Sequence, residues 1–212
     1  MNGNSLPGPC VLILAAGFSS RLGRPKALVR VRAQTLLRRT VELAARAASD
    51  IIVVLPRRTE RYRAEARGLK VVFVANPQRA LGLSSSVRRG IVKGRYAPAL
   101  LLLPVDLAAL QVRDITRLIS RWRAARRCVI ARRTGKEGAT PRGGVPLILP
   151  RRFYSRALAV TGDIGLREMV GALPAQQRIL MELPSASLDV DTPQDLRAAR
   201  RRLRGLSAQV FQ

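Results

Sequence analysis

The stretch that decides the fold is Cys10-Val11-Leu12-Ile13-Leu14-Ala15-Ala16-Gly17-Phe18-Ser19-Ser20-Arg21-Leu22-Gly23-Arg24-Pro25-Lys26. Cys10–Ala15 is an unbroken apolar run, the pattern of a strand buried on both faces. The loop that follows is built from glycine, serine and basic residues. Small side chains at 15 to 17 let the backbone approach a ligand closely, with amides able to point at phosphate. Arg21 and Lys26 add two positive charges to the same loop, suited to the oxygens of a triphosphate. The spacing excludes a Walker A loop, because Gly17 and Gly23 are misplaced and Ala27, not Ser or Thr, follows Lys26. It is not a GxGxxG turn either.

Outward from this stretch, short apolar runs alternate with amphipathic ones. Helical periodicity covers Gln34–Ser49, with Leu36, Leu37, Val41, Leu43 and Ala44 at apolar positions. Ile51–Leu55 reads as a second buried strand stopped by Pro56, Glu60–Arg67 as a short helix and Val71–Val74 as a third strand. Asn76–Leu83 is a loop, and Ser84–Lys93 a helix with Ser84 or Ser85 as N-cap. Ala99–Leu103 is a strand running into Pro104 and Asp106, and Val112–Ala125 a helix. Strands are expected at Cys128–Ala131, Val145–Leu149 and Arg178–Leu183, and helices at Phe153–Ala159 and Ile164–Ala172. Thr192 caps a last helix that has Pro193 at its first position. Arg133–Gly144 lacks apolar periodicity and reads as a flexible loop. The alternation implies an α/β protein, a mostly parallel sheet with helices on both faces. Ligands then bind beyond the carboxyl ends of the strands, which singles out the loops after Ala15, Val74 and Leu103. One domain over residues 10–204 is expected, with a flexible N-terminus at 1–9 and a tail at 205–212.

Composition narrows the chemistry. The chain has 212 residues and no histidine, which removes Ser-His and Cys-His nucleophilic machinery. Cys10 and Cys128 are expected as small buried thiols. No apolar run approaches the roughly 18 residues that cross a bilayer, so no membrane association and a cytoplasmic location are expected. The net charge of +26 predicts attraction to polyanions. Those charges are spread through every helix, no zinc-finger or RRM-like motif accompanies them, and aromatic residues are only 4%, which argues against dedicated nucleic-acid binding.

The pattern L-A-A-G-x-S-x-R-x-G-x-x-K at Leu14–Lys26 resembles the signature of the cytidylyltransferase and molybdenum-cofactor (MobA-like) nucleotidyltransferase superfamily. Three further segments resemble its molybdenum cofactor cytidylyltransferase branch. They are Asn76-Pro77 through Gly82-Leu83-Ser84-Ser85-Ser86-Val87-Arg88, Gly162-Asp163-Ile164-Gly165-Leu166-Arg167, and Asp189-Val190-Asp191-Thr192-Pro193-Gln194-Asp195-Leu196. The resemblance runs from about residue 10 to residue 202. It implies a Rossmann-like three-layer αβα fold of the nucleotide-diphospho-sugar-transferase type. It also implies CTP as substrate, Mg²⁺ or Mn²⁺ as cofactor, and transfer of CMP to the terminal phosphate of molybdopterin with release of pyrophosphate. Ala15-Ala16-Gly17 is the form of the loop that goes with CTP in that family; a relative using GTP carries A-G-G.

Such a transfer needs alignment and charge neutralisation more than acid–base residues, so a histidine-free protein suits it. Asp106 is the first expected metal ligand, with Asp191 the second and Asp189 a substitute. Arg21 and Lys26 are expected on the β and γ phosphates. Leu14, Ala15, Ala16, Gly17, Ser20, Gly82 and Asp106 are expected around the nucleotide. Asn76 is expected to bond base or ribose, and the Ser84–Ser86 turn, Ser84 and Ser85 above all, to present hydroxyls and helix N-terminal amides. Gly144, Pro146 and Asp163 are expected on the acceptor side. The chain departs from the family pattern at Pro104-Val105-Asp106-Leu107-Ala108, which lacks the family's neighbouring glycine and proline, and at Val145, where the family has histidine. Those changes put the acceptor in question. A sugar phosphate acceptor, and a non-catalytic carrier that delivers cofactor to an acidic apo-molybdoenzyme, are the rival readings.

Overall fold

The computed structural model describes residues 7–132, 143–162 and 165–208. Arg133–Arg142 and Asp163, for which a loop and an acceptor contact were expected, lie outside the described residues. The chain opens with β1 (Cys10–Leu14), a small hairpin of β2 (Arg30–Val31) and β3 (Gln34–Thr35), and α1 (Leu36–Ala45). Then come β4 (Ile51–Leu55), α2 (Glu60–Glu65), β5 (Val72–Ala75), α3 (Leu83–Lys93), β6 (Ala99–Pro104) and α4 (Val112–Ala125). The second half holds β7 (Cys128–Arg132), β8 (Gly143–Pro150), α5 (Tyr154–Ala159), α6 (Gly165–Gly171), β9 (Arg178–Glu182) and α7 (Pro193–Ala208).

Among the described residues seven strands pair in the order β5-β4-β1-β6-β8-β7-β9. β8 runs antiparallel to both of its neighbours, and every other pairing in the sheet is parallel. The sheet is therefore mostly parallel, with helices on both faces. β1 lies between β4 and β6 with all five side chains buried. Val11 and Ile13 enter the core under α1, α4 and α7. Cys10, Leu12 and Leu14 enter the core under α3, α5 and α6. The period of two explains how one apolar run serves both layers. Both cysteines are buried and free, and burial pushes their thiols up to about 12, so neither is a nucleophile at neutral pH. No helix among the described residues is long and apolar enough to cross a membrane.

Several element starts differ from the sequence expectation; β8 takes in Gly143 and Gly144, which were expected in the loop, and two other shifts have a clear local reason. Gln34 and Thr35 belong to the hairpin rather than to α1, because Thr35 is the extended N-cap whose Oγ1 accepts from Arg38 N at 3.2 Å. α3 starts at Leu83, with Gly82 rather than Ser84 or Ser85 at the N-cap. Gly82 has φ +83°, open to glycine and strained for other residues, so the serines fall inside the helix.

α3 meets β1 at Gly90, where an added Cβ would lie 2.1 Å from Leu12 Cδ2. Replacing a helical glycine by alanine gains about 1 kcal/mol of propensity. Overpacking a fully buried leucine costs about 1–3 kcal/mol. Packing is expected to win. Gly90→Ala should be less stable by about 1 kcal/mol in urea unfolding, where an exposed helical glycine would gain stability by the same change.

Candidate active site

The loop after β1 leaves the sheet between its two neighbours. Ala15 N donates to Val54 O at 3.0 Å, and Val105 N donates to Leu14 O at 3.4 Å. Ser19 then takes a left-handed backbone, and its Oγ accepts from Lys26 N at 2.9 Å. Two short 3₁₀ turns, Ser20–Leu22 and Lys26–Leu28, complete the loop, the first closed by Gly23 at φ +69°. Leu22 and Ala27 are its apolar anchors in the core under α1, α4 and α7. This folding-back places Arg21 and Lys26 on one side of the loop.

The carboxylates arrive from distant parts of the chain. Asp106 follows β6, and its carbonyl accepts from Val190 N at 3.1 Å while Leu107 bridges Asp189. That short antiparallel junction brings the segment before α7 alongside the end of β6. Asp191 is fixed next to it by the α7 cap. Thr192 Oγ1 accepts from Asp195 N at 3.2 Å, and the Asp195 carboxylate accepts from Thr192 N at 2.8 Å, Thr192 Oγ1 at 2.8 Å and Asp191 N at 3.2 Å. The expected Thr192 cap with Pro193 at the first helical position is what the structure shows.

The acids and cations then meet. Lys26 Nζ donates to Asp106 Oδ2 at 2.7 Å and also to Asp191 Oδ1, and Arg21 Nη2 donates to Asp191 Oδ2 at 2.7 Å. The Lys26, Asp106 and Asp191 side chains are 18%, 20% and 26% exposed, whereas Arg21 is 70% exposed, so lysine sits inside the network and arginine at its rim. Burial opposes the charged form of Lys26, but attraction to Asp106 and Asp191 and the bonds to them outweigh it and raise its pKa. Lys26 stays a cation at every physiological pH.

These residues line a cleft of about 600 Å³ at the carboxyl ends of β1 and β6. Leu14, Ala15, Ala16, Gly17, Ser20, Arg21, Lys26, Gly82, Asp106 and Asp191 are all on its walls. Asp189 is not; its backbone pairs with Leu107, and it is the Asp191 carboxylate that shares Lys26 with Asp106. Asn76, Ser84 and Ser85 are not on the walls either. Asn76 is fully buried: its Nδ2 donates to Ser85 Oγ at 2.8 Å and Ser86 Oγ at 3.0 Å, and its Oδ1 accepts from Gln78 N at 3.0 Å. The Ser85 hydroxyl donates onward to Gly82 O at 2.7 Å. This cluster ties the loop after β5 to α3 and holds Gly82 and Ser86 against the cleft. Gly144 and Pro146 lie in β8, and neither is on the cleft wall.

Among the lining side chains not anticipated from sequence, Phe18, Tyr62, Arg79 and Arg167 are the large or charged ones. Arg79 stacks 4.2 Å over the Phe18 ring and reaches Ala16 O at 3.5 Å, bracing the glycine turn from the β5 side. Arg167 closes the Gly162–Arg167 segment, whose final arginine the motif offered as a signal.

Two carboxylate oxygens converging on one cation form a fork that suits a hard divalent ion. Mg²⁺ and Mn²⁺ are commonly held by one or two carboxylates with phosphate oxygens and water completing the shell. Among the described residues no group of three or more His, Cys, Asp or Glu side chains could serve instead.

Residues 11–178 match the model of the MobA-like NTP transferase domain, and the chain belongs to that family. A probable molybdenum cofactor guanylyltransferase of Rhodopirellula baltica is 27% identical over 200 residues, 91% of this chain and 92% of that protein. A bifunctional IPC transferase and DIPP synthase of Rubrobacter xylanophilus is 45% identical over 82 residues, 35% of this chain and 19% of that protein's length. Among solved structures, Rv0371c of Mycobacterium tuberculosis H37Rv is 25% identical with a TM-score of 0.73, over 92% of this chain and 98% of that one. The same protein in complex with manganese superposes with a TM-score of 0.69. The α/β architecture is the Rossmann-like fold of these NTP transferases.

The α7 cap carries a pH signature. Hydrogen bonds from Thr192 hold the Asp195 carboxyl below the usual carboxylate range. A depressed folded pKa stabilises above the unfolded value and is lost as pH falls through the folded one. The stability gap between wild type and Asp195→Asn should therefore be full at neutral pH and shrink below about pH 4. Thr192→Ala should cost about 1 kcal/mol in urea unfolding.

Proposed function

We propose that the protein is a divalent-metal-dependent nucleotidyltransferase that moves CMP from CTP to the phosphate of a molybdopterin-type acceptor and releases pyrophosphate. The observation that carries this reading is the convergence of Asp106 and Asp191 on Lys26 beside the Ala15-Ala16-Gly17 turn. Membership of the MobA-like NTP transferase family supports the chemistry. The nearly full-length likeness to a probable molybdenum cofactor guanylyltransferase supports the acceptor. The Ala-Ala-Gly form of the turn supports cytidine over guanine.

Asp106 and Asp191 would hold the metal, which supplies charge neutralisation at the α-phosphate and the incoming oxygen. Lys26 and Arg21, released from the carboxylates, bind β- and γ-phosphate oxygens and stabilise the departing pyrophosphate. The backbone of residues 15 to 17 admits the triphosphate closely because no large side chain stands there. Arg79 and Phe18 hold that turn in place. No side chain has to carry a proton, since the attacking phosphate oxygen is already anionic. The relative solved with manganese supports Mn²⁺ as a substitute for Mg²⁺.

Val145 stands where the resembled family has histidine, and it packs against the core under α3, α5 and α6. That favours, as a second reading, the same donor chemistry with a sugar phosphate as acceptor. Pyrophosphate release with CTP, GTP, UTP and ATP, each with molybdopterin or a panel of sugar phosphates, separates the readings. The expected outcome is CTP-dependent turnover with molybdopterin. Asp106→Ala should lower it by about 100- to 1000-fold and weaken Mg²⁺-dependent CTP binding in calorimetry. Tight CTP binding without turnover would favour a cofactor carrier. If CTP binding ignores Mg²⁺ and Asp106→Ala binds as wild type does, the reading fails.

A further inference from the structure

Among the described residues four cationic side chains line the cleft: Arg21, Lys26, Arg79 and Arg167. Three are already engaged. Arg21 and Lys26 hold the two carboxylates, and Arg79 is stacked on Phe18 and directed at Ala16 O. Arg167, exposed on α6, has no ion-pair or hydrogen-bond partner among the described residues.

Its position matters as much as its freedom. Arg21 and Lys26 stand on a loop whose anchors Leu22 and Ala27 belong to the core under α1, α4 and α7. Asp106 and Asp191 are flanked by Val105, Leu107 and Val190 of that same core. Arg167 comes from the opposite layer, because Leu166, Met169 and Val170 of α6 pack in the core under α3 and α5. Ser84 N donates to Gly162 O at 3.2 Å, which ties the segment just before α6 to the first turn of α3 at the cleft edge. The cleft thus has cations on two walls belonging to different layers of the fold.

In-line displacement at phosphorus places the attacking and leaving oxygens on opposite sides. With pyrophosphate held on the Arg21–Lys26 wall, the attacking group enters from the other wall. A phosphate monoester brings about −1.5 to −2 charges to a site that already holds a triphosphate. It needs its own cation, and a guanidinium fork matches its oxygens better than an ammonium does. We propose that Arg167 is the anchor for the acceptor's phosphate, a subsite for a phosphate monoester dianion separate from the triphosphate site. This rests on the transferase reading and assigns its acceptor side to α6.

Calorimetry with phenyl phosphate as a minimal monoester tests it, on wild type, Arg167→Ala and Arg167→Lys. Each is titrated alone and after saturation with Mg²⁺ and a non-hydrolysable CTP analogue. Because Arg167 is exposed and has no ion-pair or hydrogen-bond partner among the described residues, its replacement should leave the fold intact, which circular dichroism checks. Phenyl phosphate should bind saturated wild type, bind Arg167→Ala roughly 10- to 100-fold more weakly, and bind Arg167→Lys at an intermediate level. The affinity for the CTP analogue should be the same in all three. Equal phenyl phosphate affinity in wild type and Arg167→Ala, no phenyl phosphate binding at all, or weakening of the CTP analogue in its place overturns the proposal. Wild type that fails to bind the analogue but keeps Arg167-dependent phenyl phosphate binding would sink the donor reading while leaving this subsite standing.

Discussion

Two carboxylates sharing one ammonium lie within about 5 Å of each other, and without that cation they would repel by roughly 3 kcal/mol at an effective dielectric of 20. Lys26 supplies the cation between Asp106 and Asp191, and Arg21 adds a second from the rim. The rest of the structure can be understood as what is required to bring these groups together. Lys26 lies 80 and 165 residues from its two partners, so the loop entropy of assembling them must be met by the fold as a whole.

That fold meets it in three places. β1 is buried in the middle of the sheet and projects the glycine turn between the ends of β4 and β6. β6 carries Asp106 to the same edge. The Val190–Asp106 backbone bond and the Thr192–Asp195 cap then fix Asp191 at the start of α7. Each device is local and each has a sequence signature: an apolar run, an aspartate just past a strand, and a Thr-Pro-x-Asp start. The network they create is half-buried, so its ion pairs are strong enough to order the side chains. In the proposed reaction it remains open enough for a metal to compete for the carboxylate oxygens and for a polyphosphate to compete for the cations.

The sequence made the strands, the alternation and most of the cleft legible because their signals are local. The burial of β1, the cations at 21 and 26 and the acid at 106 all follow from short-range pattern. What escaped depended on tertiary partners. The direction of β8 was hidden, since an apolar run buried on both faces looks the same in a parallel or antiparallel neighbourhood. Asn76 has the residue type of a ligand group, yet its amide is consumed by Ser85, Ser86 and Gln78, which only the packing of the β5 loop on α3 reveals. The choice between Asp189 and Asp191 turned on which carboxylate reaches Lys26, a contact across 165 residues that no local pattern reveals. Arg79 was hidden among 39 basic residues, where composition offers no contrast, whereas Arg167 ended the Gly162–Arg167 motif, whose aspartate drew the attention instead.

The most direct measurement is the anomalous diffraction of a crystal grown with Mn²⁺ and CTP. The account predicts one manganese peak bonded to a carboxylate oxygen of both Asp106 and Asp191. It also predicts the Lys26 ammonium withdrawn from the fork onto the triphosphate and the phosphates lying along residues 15 to 17. A manganese peak away from both aspartates, or a triphosphate bound elsewhere while Lys26 still bridges them, would contradict it.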